Sequence, residues 1–130
     1  MTYLLLIYLS ENRRIKVGRL GLIDFFAGFY VYVGSAKFGV ERRVKRHLKR
    51  GKKLFWHIDY LLSDDACEIV KVFSSDGQIE HDVARNFLDI GFRVVRGFGS
   101  SDCECLGHLF YVDDLEKFEN FVFKEFVVFL

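Results

Sequence analysis

The chain lacks proline altogether and has one methionine, one tryptophan and three cysteines in 130 residues. The missing proline carries no functional reading. The odd cysteine count argues against a disulfide framework and favours a reducing, cytoplasmic setting. No apolar run approaches the ~18 residues of a membrane-spanning helix. The longest early run, Tyr3–Leu9 (YLLLIYL), is too short and has no basic flank before it, so neither a span nor a secretory signal is expected. No linker, repeat or low-complexity stretch divides the chain, which reads as one domain over residues 1–130. Apolar side chains are abundant: 51% of residues are hydrophobic and fifteen are Phe. That excludes disorder and is enough for a core.

Acidic charge is scarce in one place. Residues 41–53, ERRVKRHLKRGKK, hold eight Lys/Arg against one Glu, a local +7, so the rest of the chain carries −6 beneath an overall +1. A solvated helix face is the ordinary origin of a charge run. Eight like charges in thirteen residues repel one another, however, and such a block suits a polyanionic partner. Arg42, Lys45, Arg46, Lys49, Arg50, Lys52 and Lys53 are the candidate contacts to nucleic-acid backbone.

TYLLLIYL (2–9) reads as a strand, SENRR as a turn, and IKVGRLGL (15–22) as a second strand bent at Gly18 and Gly21. FYVYVGS (29–35) is a third, and short connections favour antiparallel pairing of the three. Val40, Val44 and Leu48 form an apolar stripe that predicts a helix over 40–50, opened by Gly39 and closed by Gly51. WHIDYLL (56–62) reads as a short helix and CEIVKVF (67–73) as a strand. Residues 74–91 read as a helix, with Ser75 and Gln78 at capping-box spacing and Gly91 at its end. FRVVRGF (92–98) and HLFYV (108–112) read as strands, and residues 113–126 as a final helix with acids at its start. The fold expected is α+β: a small, largely antiparallel sheet flanked by helices.

Chemistry concentrates in YVGSAKFGVERRVKRHL, Tyr32 to Leu48. A tyrosine ends a strand, Gly34 follows, and the basic helix carries Arg43 and His47 four apart on one face. Arg forks onto phosphate oxygens, His and Tyr move protons or orient water, and Gly34 permits close backbone approach. Elsewhere, Cys103, Cys105 and His108 fall close together. Thiolate and imidazole bind zinc, but Cys-x₂-Cys spacing is absent and a fourth ligand must come from elsewhere, with Cys67 and His57 as candidates. Buried thiols are the first reading and structural zinc the second.

The stretch Tyr30–Ala36 (YVYVGSA) resembles the GIY-YIG endonuclease superfamily, and its Uri-type branch in particular. R…RH (Arg43 to His47), WHIDYL (56–61), GFGSSDC (97–103) and HLFY (108–111) follow in that branch's order, so the resemblance covers about residues 2–111. It implies a GIY-YIG-like fold and a metal-dependent nuclease acting on DNA, with RNA left open. It implies Tyr3, Tyr32, Arg43, His47 and Glu80 as catalytic residues, with Glu80 the ligand of Mg²⁺ or Mn²⁺. GFY at Gly28–Tyr30 imitates the first half of the motif, but Tyr3 on the neighbouring strand is the better match and Tyr30 the competitor. Thr2 stands where that half usually has glycine and a variable residue. His81 and Asp82 adjoin Glu80 and are expected to project elsewhere. In WHIDYL, Trp56 and Tyr60 are either core or a base-stacking surface, and His57 and Asp59 either structural or phosphate contacts. Two further classes stand beside the nuclease: a nucleic-acid-binding module without catalysis, and a small zinc-stabilised interaction domain.

Overall fold

The computed structural model describes residues 1–100 and 105–130. Its frame is a six-stranded sheet, entirely antiparallel, in the order β6-β7-β4-β1-β5-β8. The strands are β1 (Thr2–Leu9), β4 (Gly28–Ser35), β5 (Cys67–Ser75), β6 (Arg93–Val94), β7 (Leu109–Val112) and β8 (Val127–Val128). Four α-helices among the described residues accompany it: α1 (Val40–Leu48), α2 (His57–Leu62), α3 (Glu80–Asp89) and α4 (Leu115–Glu125). The expected α+β class with a largely antiparallel sheet is the one observed.

The run TYLLLIYL is apolar without alternation because β1 is buried on both faces. Its odd positions, Tyr3, Leu5, Ile7 and Leu9, pack with Val40 and Val44 of α1 and Ile58 and Leu61 of α2. Leu4 and Leu6 pack on the other face with Val83, Ala84 and Phe87 of α3 and Phe118 and Val122 of α4. A strand's period of two thus sends alternate residues into two cores, and a helix pair covers each. No helix among the described residues is long and apolar enough to cross a membrane.

Three sequence expectations need correction, and one strand was not expected. IKVGRLGL is not one strand beside β1. It is split between β2 (Arg13–Lys16) and β3 (Leu22–Phe25), which form a separate two-stranded sheet around a 3₁₀ turn at Gly18–Leu20. Gly18 and Gly21, at φ 46° and 80°, supply the left-handed backbone of that turn, so β1 pairs with β4 and β5 instead. The helix expected from Ser75 starts only at Glu80. Ser75 remains in β5, and no side chain caps α3 at Ile79. The strand expected over 92–98 shrinks to Arg93–Val94. Finally, β8, which pairs with Phe73 and Ser74, was not legible as a strand because it follows α4 with only one residue between. In α4, Asp114 caps the helix by accepting from the Glu116 and Lys117 amides, in keeping with the acids expected at its start.

A cleft where three motifs meet

The β1–β4 register places Tyr3 opposite Gly34 and Thr2 opposite Ser35, at the end of the sheet where β4 gives way to α1. The Tyr3 ring lies across Gly34, and a Cβ there would overlap it. The close approach that Gly34 permits is therefore that of Tyr3, not only that of a ligand. On the other flank of β1, the Thr2 hydroxyl donates to the Gly77 carbonyl (2.7 Å) and accepts from the Ile79 amide (2.9 Å). Ile79 immediately precedes Glu80, the first residue of α3. Thr2 thus anchors the turn that leads into α3, from a strand distant in sequence, without capping the helix. The residue ahead of Tyr3 is therefore the side chain that holds the turn before Glu80.

A cleft of 640 Å³ opens at this end, and Tyr3, Tyr32, Arg43 and Glu80 all line it. His47 stands behind Tyr3, 2% exposed, with Nε2 2.7 Å from the Tyr3 hydroxyl. The Tyr3, Tyr32 and His47 rings form one cluster with centroids 5.6–6.5 Å apart. Burial pushes the Tyr3 hydroxyl far above the ordinary phenol range, helped by Tyr32 and opposed by Arg43. Burial also pushes His47 down to about 4, against the pull of Asp59. Near neutrality the pair is therefore a phenol facing a neutral imidazole. A phenol donating to Nε2 leaves the ring proton on Nδ1, which has no partner among the described residues. Glu80 Oε2 is likewise buried without one.

The cluster at Tyr32 excludes Tyr30. The Tyr30 hydroxyl donates to the Phe26 carbonyl (2.7 Å), and its ring packs on Phe25 and Tyr111. Tyr30 does not line the cleft.

WHIDYL is structural to a degree that the sequence left open. The buried Asp59 carboxylate accepts both Arg46 nitrogens at 2.8 Å and the amides of Phe55 and Trp56 at 3.0 and 2.8 Å. Burial raises the Asp59 pKa, but the Arg46 fork and the two amides outweigh it and hold Asp59 below the usual carboxylate range. The guanidiniums of Arg43 and Arg46 lie 4.5 and 4.3 Å from the Trp56 ring centre, which is a cation–π distance. His57 Nδ1 accepts from the Gly99 amide. Tyr60 packs against Gly18. Phe55, the residue before this block and 76% exposed, faces solvent at the cleft.

The basic block divides. Arg46 is committed to Asp59, Arg50 donates to the carbonyls of Leu62, Asp64 and Cys67, and Lys52 to those of His47 and Lys49. These three hold the molecule together. Arg42, Lys45, Lys49 and Lys53 are exposed and line a second, shallow groove of 540 Å³. Arg42, Lys45 and Lys49 share a face at three- and four-residue spacing.

The expected thiol–imidazole group also changes membership. Cys103 lies outside the described residues. Cys67 is buried in the α1/α2 core, its thiol pushed up to about 12 by burial. The residues brought together are His81, Cys105 and His108. His81 and His108 also line the cleft, so His81 does not project away from Glu80's surroundings as its place in the helix suggested. The signal for Thr2 was a lone polar residue heading an apolar strand. No sequence signal placed His81 near His108.

Buried His47 makes stability depend on pH. Its unfolded value is about 6.5. Below that pH the unfolded chain gains a proton that the folded chain does not take up until near 4. Stability present above about 6.5 is therefore lost as pH falls through this window, by up to about 1.4 kcal/mol per pH unit. His57, also lowered by burial, acts in the same direction. Asp59, lowered rather than raised, loses its contribution only below about 3.9. Urea unfolding at pH 7.5 and 5.0 should show a fall in stability that His47→Gln reduces by roughly 2 kcal/mol. An equal fall in the variant would mean that His47 is not held neutral.

A helix-flanked antiparallel sheet with this Tyr–His–Arg–Glu cleft at one end defines the class of domain. The chain belongs to the family described as Domain of unknown function DUF123, matched over residues 2–128. No curated protein and no solved structure matches it.

Proposed function

We propose that the protein is a divalent-metal-dependent endonuclease that hydrolyses phosphodiester bonds in DNA, as its resemblance to the GIY-YIG superfamily implies. One observation carries this reading: Tyr3, Tyr32, Arg43 and Glu80, far apart in sequence and on four different elements, line a single cleft, with His47 bonded to Tyr3 behind it. Core packing alone does not require that convergence of a guanidinium, two phenols and a carboxylate.

In this scheme Arg43 forks onto the non-bridging oxygens of the scissile phosphate and stabilises the charge of the pentavalent transition state. Tyr32 donates to the same phosphate and fixes its orientation. Water attacks phosphorus, its proton passes to the Tyr3 oxygen, and the Tyr3 proton passes to His47 Nε2 as the bond to the leaving oxygen breaks. A neutral His47 is the protonation state that this relay needs at the start. Glu80, whose buried Oε2 lacks a partner among the described residues, is a fitting ligand for one Mg²⁺ or Mn²⁺, which when bound supplies Lewis-acid stabilisation of the leaving oxygen.

The test is single-turnover cleavage of labelled DNA, single-stranded and branched, in Mg²⁺ and in chelator. Tyr32→Phe should slow the chemical step on the order of 10²-fold, because its hydroxyl bond strengthens in the transition state. Tyr30→Phe, altering a hydroxyl committed to Phe26, should leave the step nearly intact in folded protein. No cleavage by the wild type, or a larger loss at Tyr30, would sink the scheme.

The exposed basic groove favours a second reading, a nucleic-acid-binding module without catalysis. Both readings expect Lys45 and Lys49 to neutralise phosphates. Their double Ala variant should lower the slope of log affinity against log salt by about two. An unchanged slope would remove this face from the interface. Arg46, tied to Asp59, is not a useful probe because its loss also disturbs the fold.

A further inference from the structure

We infer that His81, Cys105 and His108 form a zinc site on the wall of the cleft, separate from Glu80 and of different chemistry. The ligand atoms of the three side chains lie within 4.8 Å of one another. His81 is the second residue of α3, and Cys105 and His108 precede β7, so the group joins elements that the sequence keeps apart. The His81 and His108 rings are 5.9 Å apart at 52°.

Ligand type selects the ion. Two imidazoles and a thiolate are borderline-soft donors suited to Zn²⁺ and poorly suited to Mg²⁺, which prefers oxygen. Bonds of about 2.0 Å to nitrogen and 2.3 Å to sulfur place tetrahedral ligands roughly 3.3–3.6 Å apart. The three atoms must therefore draw in by about an ångström. His108 is the fixed point: it is buried, its amide donates to the Phe98 carbonyl and its carbonyl accepts from the Val33 amide. His81 is exposed, and a rotation of its side chain supplies the movement.

Among the described residues three ligands gather, which leave one tetrahedral position, and a water or another small donor there would give the arrangement of open zinc sites. Because His81 and His108 line the same cleft as Glu80, that position belongs to the cleft rather than to a closed core. The bound ion also ties the first turn of α3 to the segment entering β7. The inference uses neither the basic groove nor any cleavage step, so it stands or falls apart from the nuclease reading.

The full chain, stripped with chelator and dialysed, is titrated with Zn²⁺ against a chromophoric competitor, and with Co²⁺ as a spectroscopic stand-in. One Zn²⁺ per chain is expected, with a thiolate-to-cobalt charge-transfer band and a rise in Tm on zinc addition. His81→Ala, at an exposed position that tolerates truncation, should weaken binding on the order of 100-fold or more, and Cys105→Ser should also remove the cobalt band. Glu80→Gln should leave zinc affinity within a few-fold, and millimolar Mg²⁺ should not displace the ion. Absence of stoichiometric zinc, or zinc binding unchanged in His81→Ala, would overturn the site. A cobalt band that persists in folded Cys105→Ser would overturn it as well.

Discussion

Glu80→Gln should abolish cleavage while leaving DNA affinity and fold in place. The substitution keeps side-chain shape and removes the charge that holds the cation. Lewis-acid stabilisation of a leaving oxygen is worth several kcal/mol, so a single-turnover loss of about 10³-fold is expected. Binding in chelator should change little, because the exposed Arg42, Lys45, Lys49 and Lys53 lie elsewhere. A second signature needs no activity. Oε2 of Glu80 is buried without a protein partner among the described residues, an arrangement that costs free energy until a ligand fills it. Mg²⁺ should therefore raise the wild-type Tm and leave that of Glu80→Gln unmoved. Wild-type cleavage rates in the variant would refute the assignment of the metal to Glu80. A Tm response to Mg²⁺ retained in the variant would place the cation elsewhere.

Asp59→Ala should be among the most destabilising single changes in the molecule, by about 3–5 kcal/mol in urea unfolding. The Asp59 side chain is 0% exposed and accepts from both Arg46 nitrogens and two backbone amides. Truncation leaves Arg46 without its counter-ion and the Phe55 and Trp56 amides without an acceptor. Removing both charges should be milder. Arg46→Met with Asp59→Ala should cost less than the sum of the single changes, with a coupling of at least about 1 kcal/mol. The two changes together should still disturb the cleft, because Arg46 helps position the Trp56 ring that Arg43 also contacts. A loss under 1 kcal/mol in Asp59→Ala would show that the network is not as the geometry describes.

Local pattern carried most of the fold. The stripe Val40–Val44–Leu48 made α1 legible because a helix sharing one face with a core writes its period into the sequence. The unbroken run of β1 marked a buried strand for the same kind of reason. What failed was partner choice. Nothing local tells the segment after Gly21 to fold back on RRIK rather than leave IKVGRLGL to join β1, and a two-residue strand such as β8 exists only through its pairing with β5. The capping pattern at Ser75 misled because Ser75 stays in β5, paired with Thr2, and α3 starts only at Glu80. The site showed the same division. Arg43 and His47 were legible as a helical pair, and Gly34 as a required glycine. The division of the basic block into Arg46, Arg50 and Lys52, which bind this chain, and Arg42, Lys45, Lys49 and Lys53, which face solvent, was not. Charge type is written in sequence, whereas the acceptor each cation finds is a property of the tertiary structure.

The central place of β1 bears on synthesis. It leaves the ribosome ahead of both its neighbours, β4 and β5, which end at Ser35 and Ser75. Once β4 has emerged, the nascent chain can pair one edge of TYLLLIYL, but the other edge remains open until β5 follows. Through that interval a strongly apolar strand presents unpaired amides and carbonyls, the geometry from which misassembly between chains begins. At synthesis rates of about 5–20 residues per second the exposure lasts seconds. A translational pause placed after β4 has emerged and before β5 has done so should therefore lower the soluble yield of this protein, whereas a pause after β5 has emerged should not.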